Sequence, residues 1–244
     1  MRYFKYFPRT FYTFGNEVSP DAIENISIYS DVIDQIKDAT TAYQDYYIQN
    51  EERPDQVSMR LYDRPEYHWT FFLMNEQLRE SGWPLSPAKV FEKAKKDYTS
   101  TVITTKTSPL SKIFKLNQTI TGLSSGATAK VDHRNLDLGQ IWIRDASADF
   151  RAGETVTSVS PDTGLTETLV IDSVAVQYNV AHHYENSDKE YVDIDPAQGP
   201  GASLTEVTWL DHLSARNDEL REIRVIKPDS INQIVDAFRE AVAI

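Results

Sequence analysis

Two histidines stand side by side at His182 and His183, with Glu185 two residues on, and His68 lies next to Trp69. Imidazoles act as general bases and as metal ligands, so chemistry is sought at these positions first. Adjacent residues of a regular strand face opposite sides, which sends His182 and His183 apart, and Glu185 does not recreate a helical HExxH pair. His68, beside an apolar helix, reads as a packed or capping residue. Asp193 and Asp195 share a strand face, but Ala197 takes the next alternate position and no Gly-then-Glu calcium pattern follows, so this stretch reads as a solvated acidic loop. The chain has no GxSxG elbow, GxxxxGK[ST] loop or GxGxxG fingerprint. It has no Cys, and so no thiol nucleophile, thiolate zinc site or disulfide scaffold. The residues therefore predict no catalytic site, no cofactor and no metal, and a chain that is not an enzyme.

Charge narrows the partners. With 37 acidic against 25 basic side chains the formal charge is −12, which opposes phosphate neutralisation and so disfavours nucleic acid and anionic membrane surfaces. The densest apolar cluster, Phe71 to Met74, is far short of the roughly 20 residues that span a bilayer. Aromatics are the outstanding feature. Tyr3, Phe4, Tyr6, Phe7, Phe11, Tyr12 and Phe14 crowd the start of the chain, interleaved with Arg2, Lys5 and Arg9. This stretch lacks the separated charged and apolar regions of a secretory signal and is expected to stay in the mature chain. Pro8 and the crowding suit neither one helical face nor one strand face, so residues 1–20 are read as an aromatic arm that meets a partner.

Three elements must position whatever the chain does. From Arg53 to Tyr98 the punctuation is helical: Pro54 and Pro65 sit where a first turn tolerates proline, and Ser86-Pro87 opens another helix. Val57, Leu61 and Tyr62 share one face, Trp69, Phe72 and Leu73 a second, and Val90, Phe91, Ala94 and Tyr98 a third. The middle is rich in Thr and Ser, and its apolar residues alternate, as in Gln140 to Arg144 and Leu169 to Val176, which predicts strands. It also repeats: Phe114-Lys-Leu-Asn-Gln-Thr-Ile-Thr returns 36 residues later as Phe150-Arg-Ala-Gly-Glu-Thr-Val-Thr. Two similar β units, each too small to bury both faces, should pack together. At the C-terminus, Arg221 to Lys227 alternates like a half-buried strand, and Ile231, Ile234, Val235, Phe238 and Val242 stripe a final helix.

A family pattern lies in the first helical stretch. Tyr46-Tyr47, Arg53-Pro54-Asp55, Leu61-Tyr62-Asp63, Pro65, Trp69 and Asn75, then Gly82-Trp83-Pro84, run in an order that resembles the baseplate wedge protein 53 family of contractile-tailed bacteriophages. Asp63 stands where that family usually has Gly. Leu220-Arg221-Glu222-Ile223-Arg224-Val225-Ile226-Lys227-Pro228 is similar to the strand before the family's last helix. The resemblance implies a structural subunit of the virion tail baseplate, assembled in the host cytoplasm. It also implies copies in a sixfold ring that bridge neighbouring wedges and touch the sheath initiator and the hub or tube proteins. Residues 54–75 also resemble a LysM module, and this gives the alternative, a peptidoglycan glycan-binding module, although Glu51-Glu52-Arg53-Pro54 replaces the usual sugar-contacting turn.

The expected fold class is α+β: a small helical, LysM-like wedge framework carrying an inserted all-β sandwich or barrel module. The expected division is an arm over 1–20, a framework over 21–100 plus 181–244, and an inserted β domain over 101–180. Expected interface residues are Tyr3, Phe4, Tyr6, Phe7, Phe11 and Tyr12 of the arm, with Tyr47, Arg53, Pro54, Tyr62, Pro65, Trp69, Asn75, Trp83, Arg221, Arg224 and Lys227 of the family pattern, because aromatic and Arg side chains dominate interface hot spots.

Overall fold

The computed structural model describes residues 9–15, 19–24, 42–49, 51–106 and 110–242. Helices and antiparallel sheets both contribute, so the chain is α+β. It divides into two compact units, Met1–Ser86 with Asn217–Ile244, and Pro87–Arg216. The second unit is wider than the Thr-rich middle: it takes in the helix before it and the acidic segment after it.

In the first unit, β1 (Arg9–Tyr12) pairs antiparallel with β2 (Asp21–Glu24). Part of the aromatic stretch is thus a strand. Crowding does not prevent it, because Phe11 and Tyr12 alternate across the strand and both lie exposed. β3 (Tyr43–Tyr47) leads to α1 (Pro54–Tyr62), a 3₁₀ turn over Pro65–Tyr67, α2 (Trp69–Met74) and α3 (Glu76–Ser81). Both prolines open their elements, as the sequence predicts. Asp63 ends α1 in the left-handed conformation at φ 54°, its N–H donating to the Met59 carbonyl. Gly takes that conformation without steric cost and Asp is among the few side chains that tolerate it, which accounts for the exchange at this position.

The second unit opens with α4 (Pro87–Asp97) and continues through β4 (Thr101–Thr104), β5 (Thr119–Gly122), β6 (Thr128–Asn135), β7 (Gln140–Arg144), β8 (Thr155–Val159), β9 (Thr166–Val170) and β10 (Ser173–Val176). These seven strands form one sheet in the order β10-β4-β7-β6-β5-β8-β9. The two β units therefore join edge to edge through β5 and β8. They do not stack as a sandwich, and no closed barrel forms. Only Ile171 and Asp172 link the two edge strands, and Ile103, Val131, Ile143, Ile120, Val156 and Leu169 from across the sheet meet in one core around Phe114 and Phe150. A sheet whose outer strands reach the same core must coil strongly.

The repeat explains the middle of this sheet. Thr121 pairs with Thr157, Ile120 with Ser158 and Gly122 with Val156. Thr121 and Thr157 are equivalent positions of the repeat facing each other, so the hairpins β5–β6 and β8–β9 are related by a local two-fold axis between them. Each repeat position then acquires a physical reason. Phe114 and Phe150 fill the core. Asn117 and Gly153 both take positive φ, at 66° and 82°, where Asn and Gly are favoured. Gln118 accepts the N–H of Lys115, and Glu154 likewise accepts the N–H of Arg151 at 2.6 Å.

Beyond the sheet, β11 (Ala181–Glu185) lies between β12 (Tyr191–Val192) and β13 (Thr205–Thr208). α5 (Trp209–Glu219) follows. The Tyr98 and Trp209 rings meet at 5.0 Å, which brings the entry and exit of this unit together. The chain then returns to the first unit as β14 (Glu222–Ile226) and α6 (Ile231–Val242). β14 pairs antiparallel with β3, Tyr47 opposite Glu222 and Tyr43 opposite Ile226. Ile223, Val225 and Ile226 close the first core over Val57, Tyr62 and Phe71.

Glu154 supplies the test of this architecture. Burial pushes its carboxyl up, but the N–H groups of Arg151 and Ser125 and the hydroxyls of Ser125 and Ser124 outweigh that and hold it at about 2. A depressed carboxyl contributes stability that is complete above its ordinary 4.5 and is lost as pH falls toward about 2. Glu154→Gln, which copies the first repeat, should fold and lose that acid sensitivity. Glu154→Ala should cost roughly 1–3 kcal/mol by orphaning two backbone N–H groups. Urea unfolding followed by circular dichroism between pH 2 and 7 reads both.

Candidate functional site

The family-pattern residues fall into two sets. Side chains of the first set are bonded inside the chain. The Tyr62 hydroxyl donates to the Ile226 carbonyl at 2.9 Å, which carries α1 onto β14, and burial pushes this phenol well above its ordinary range. Asn75, buried at the end of α2, accepts the Arg224 N–H and donates to the Arg224 carbonyl, both at 2.8 Å, and donates to the Phe71 carbonyl at 2.8 Å. Its amide thus mimics a third strand beside β14. Trp83 donates to the Glu52 carbonyl at 2.6 Å and packs on Phe71 and Phe72. Trp69 lies against Phe238 at 4.8 Å. Buried Arg221 donates to the Leu85 carbonyl at 3.0 Å and the Ile48 carbonyl at 3.4 Å, with Asp218 as its ion partner at 2.9 Å. These residues build the framework.

The second set faces outward. Tyr47 is 51% exposed, and Arg53, Pro65, Arg224 and Lys227 are exposed, whereas Pro54 at the start of α1 is half-buried. Arg53 pairs with Asp55 at 2.5 Å on the surface. Tyr47, Asn75 and Arg224 come together along an open groove of about 780 Å³, together with Tyr46, Glu76 and Gln77. Arg53, Pro65 and Lys227 do not line it. On the hairpin, Phe11 is 70% exposed, with Tyr12, Phe14 and Ile23 also exposed and Tyr12 edge-on to Phe14 at 4.9 Å. Tyr3, Phe4, Tyr6 and Phe7 lie outside the described residues.

Residues 2–104 match the family model described as base plate wedge protein 53. Over this stretch the chain is similar to that family. No curated protein matches the chain. The family gives a structural role in the bacteriophage tail baseplate, among other baseplate components. The match ends with β4, so β14 lies outside it although β14 completes the sheet that the wedge-family segment begins. No described helix is long and apolar enough to cross a membrane.

Elsewhere the structure overturns one expectation and reveals a cluster. The β11–β13 register shifts between Ala181 and His183, so Ala181 and His182 together oppose Thr208. Such a bulge re-aims successive side chains. His182 and His183 consequently converge, with Nδ1 to Nδ1 at 2.8 Å, instead of facing opposite sides. The His212 ring stacks on His182 at 4.0 Å. Burial, then the neighbouring His212 and His183, hold His182 down at about 4. Sequence reasoning missed this cluster because a bulge is a property of pairing; Thr208 and Asp211, which cap α5 reciprocally, were the one local signal that His212 has a fixed place. His68 is exposed and bonds the Pro65 carbonyl at 2.9 Å, a capping role as expected. Asp195 accepts the Ala197 N–H in an acidic turn.

Asn75→Ala should destabilise the chain by about 1–3 kcal/mol, since it leaves part-buried backbone groups of β14 without their partner, whereas Tyr47→Ala should change stability by less than about 0.5 kcal/mol. Chemical denaturation of the two variants beside the parent checks the contrast.

Proposed function

We propose that the chain joins neighbouring wedges of the sixfold baseplate ring and links them to the hub or tube proteins and the sheath initiator, after assembly in the host cytoplasm. The observation that carries this reading is the β1–β2 hairpin: it lies in the wedge-family segment, and its described side chains are exposed, Phe11, Tyr12, Phe14 and Ile23 among them. A lone two-stranded hairpin is marginal in water. Covered by a neighbouring subunit, its rings leave water in an area dense enough to anchor a contact. Ring closure needs a second, different surface on each copy, and the groove of Tyr47 and Arg224 supplies a candidate.

The chain acts in this role as a structural part and not as an enzyme. The glycan-binding alternative depends on the 51–54 turn. There Glu52 accepts from the Tyr46 hydroxyl, the Gln49 N–H and Arg60, and its carbonyl accepts from Trp83. The turn is thus engaged with its own chain, which favours the structural reading.

The test is incorporation. Phe11→Ser with Tyr12→Ser should leave the unfolding midpoint unchanged and remove the protein from assembled baseplates, measured by mass spectrometry of purified tails from a complemented mutant phage. Normal incorporation of that double variant would overturn the hairpin's role. Saturable sedimentation of the parent chain with insoluble peptidoglycan would bring the glycan reading forward.

A further inference from the structure

We propose that His182, His183 and His212 form a binding site for one divalent transition-metal ion of the zinc class, a structural site that fastens β11 to α5.

Three features support it. One nitrogen of each imidazole lies within 4.8 Å of the others. They come from two elements whose positions are separately fixed, His182 and His183 by the bulge in β11 and His212 by the Thr208–Asp211 cap that starts α5. His183 is also oriented as a metal-bound histidine is. The Glu185 carboxylate lies 2.9 Å from His183 Nε2, so that nitrogen carries the proton and Nδ1 presents its lone pair toward His182. A carboxylate behind a ligating imidazole is the usual outer partner in such sites. His183 is only 8% exposed, and the Tyr191 ring lies flat against it at 5.3 Å. His182 lines a cavity of about 440 Å³ with Trp142, Trp209 and His133, and this gives an ion a way in.

Imidazole donors with no thiolate suit zinc, nickel, cobalt and copper and not magnesium or calcium, which take oxygen ligands. Metal–nitrogen bonds of about 2.0–2.1 Å in tetrahedral geometry set nitrogens about 3.3 Å apart. The Nδ1 atoms of His182 and His183, at 2.8 Å, are closer than that because they share a hydrogen bond, so binding one ion requires them to give up the shared proton and part by about 0.5 Å. His212 has further to move: its ring is parallel to His182, with 6° between planes, so it must turn out of the stack to direct a lone pair at a shared ion. A fourth position would remain for water.

The experiment uses the full chain, stripped with EDTA, exchanged into chelator-free buffer and titrated with zinc chloride while the ¹⁵N signals of the imidazoles are followed by NMR. Of the five histidines, His182, His183 and His212 should show coordination shifts saturating at one zinc per chain, and the melting temperature should rise. Glu185→Gln should keep that stoichiometry and weaken binding about 10–100-fold. His212→Ala, if folded by circular dichroism, should lose saturable binding. No coordination shift on these three at excess zinc, or saturation at His68 or His133 instead, overturns the proposal. So does unchanged affinity in a folded His212→Ala protein.

Discussion

The first unit depends on one pairing between distant segments. Ile48 and Arg221 are 173 residues apart, yet the Ile48 N–H donates to the Arg221 carbonyl at 2.9 Å, and among the described residues β3 finds its strand partner only in β14. Without β14 the helices α1 and α2 would expose Val57 and Phe71, and Tyr62 and Asn75 would lose the backbone groups they bond. Arg221, Asn75 and Tyr62 all serve this closure. A buried arginine is tolerated there because carbonyls and Asp218 take its donors.

The second unit solves a different problem. Thr-rich hairpins bury one face and leave the other to water, so two of them cannot be stable alone. Pairing through equivalent strands about a two-fold axis joins their apolar faces, and β4, β7 and β10 extend the surface until it can coil around Phe114 and Phe150. Gln118 and Glu154 show how an equivalent position diverges under this symmetry. Both cap the loop before their strand, but Glu154 also gathers Ser124 and Ser125, where a carboxylate can accept more than an amide oxygen.

Much of this was legible because local chemistry dictated it. Proline at the openings of α1 and the following turn, the short apolar run of β7, buried on both faces, and the 36-residue repeat each gave the right element type. Asp63 stands where the resembled family has Gly, and the backbone there is left-handed. What escaped were properties of register and distance. Nothing near Asn75 states that its amide will meet Arg224, 149 residues away. Trp83 and Arg221 look like interface anchors by residue type, but type does not say which side of a chain a ring faces. The histidine cluster depends on a one-residue slip between β11 and β13, invisible until the partner strand is known.

The contact between Tyr98 and Trp209 also matters for timing. Translation at roughly 5–20 residues per second leaves β3 waiting on the order of ten to thirty-five seconds for its partner strand to be synthesised. The intervening strands pair mostly with near neighbours in sequence, so they fold during that wait. Once the Tyr98 and Trp209 rings touch, the loop that the first unit must close runs through this shortcut. Its effective length falls to about a third, and by the logarithmic law for loop closure the entropic cost drops by about 1 kcal/mol. The segment between β3 and β14 thereby helps the ribosome's late product find its early one.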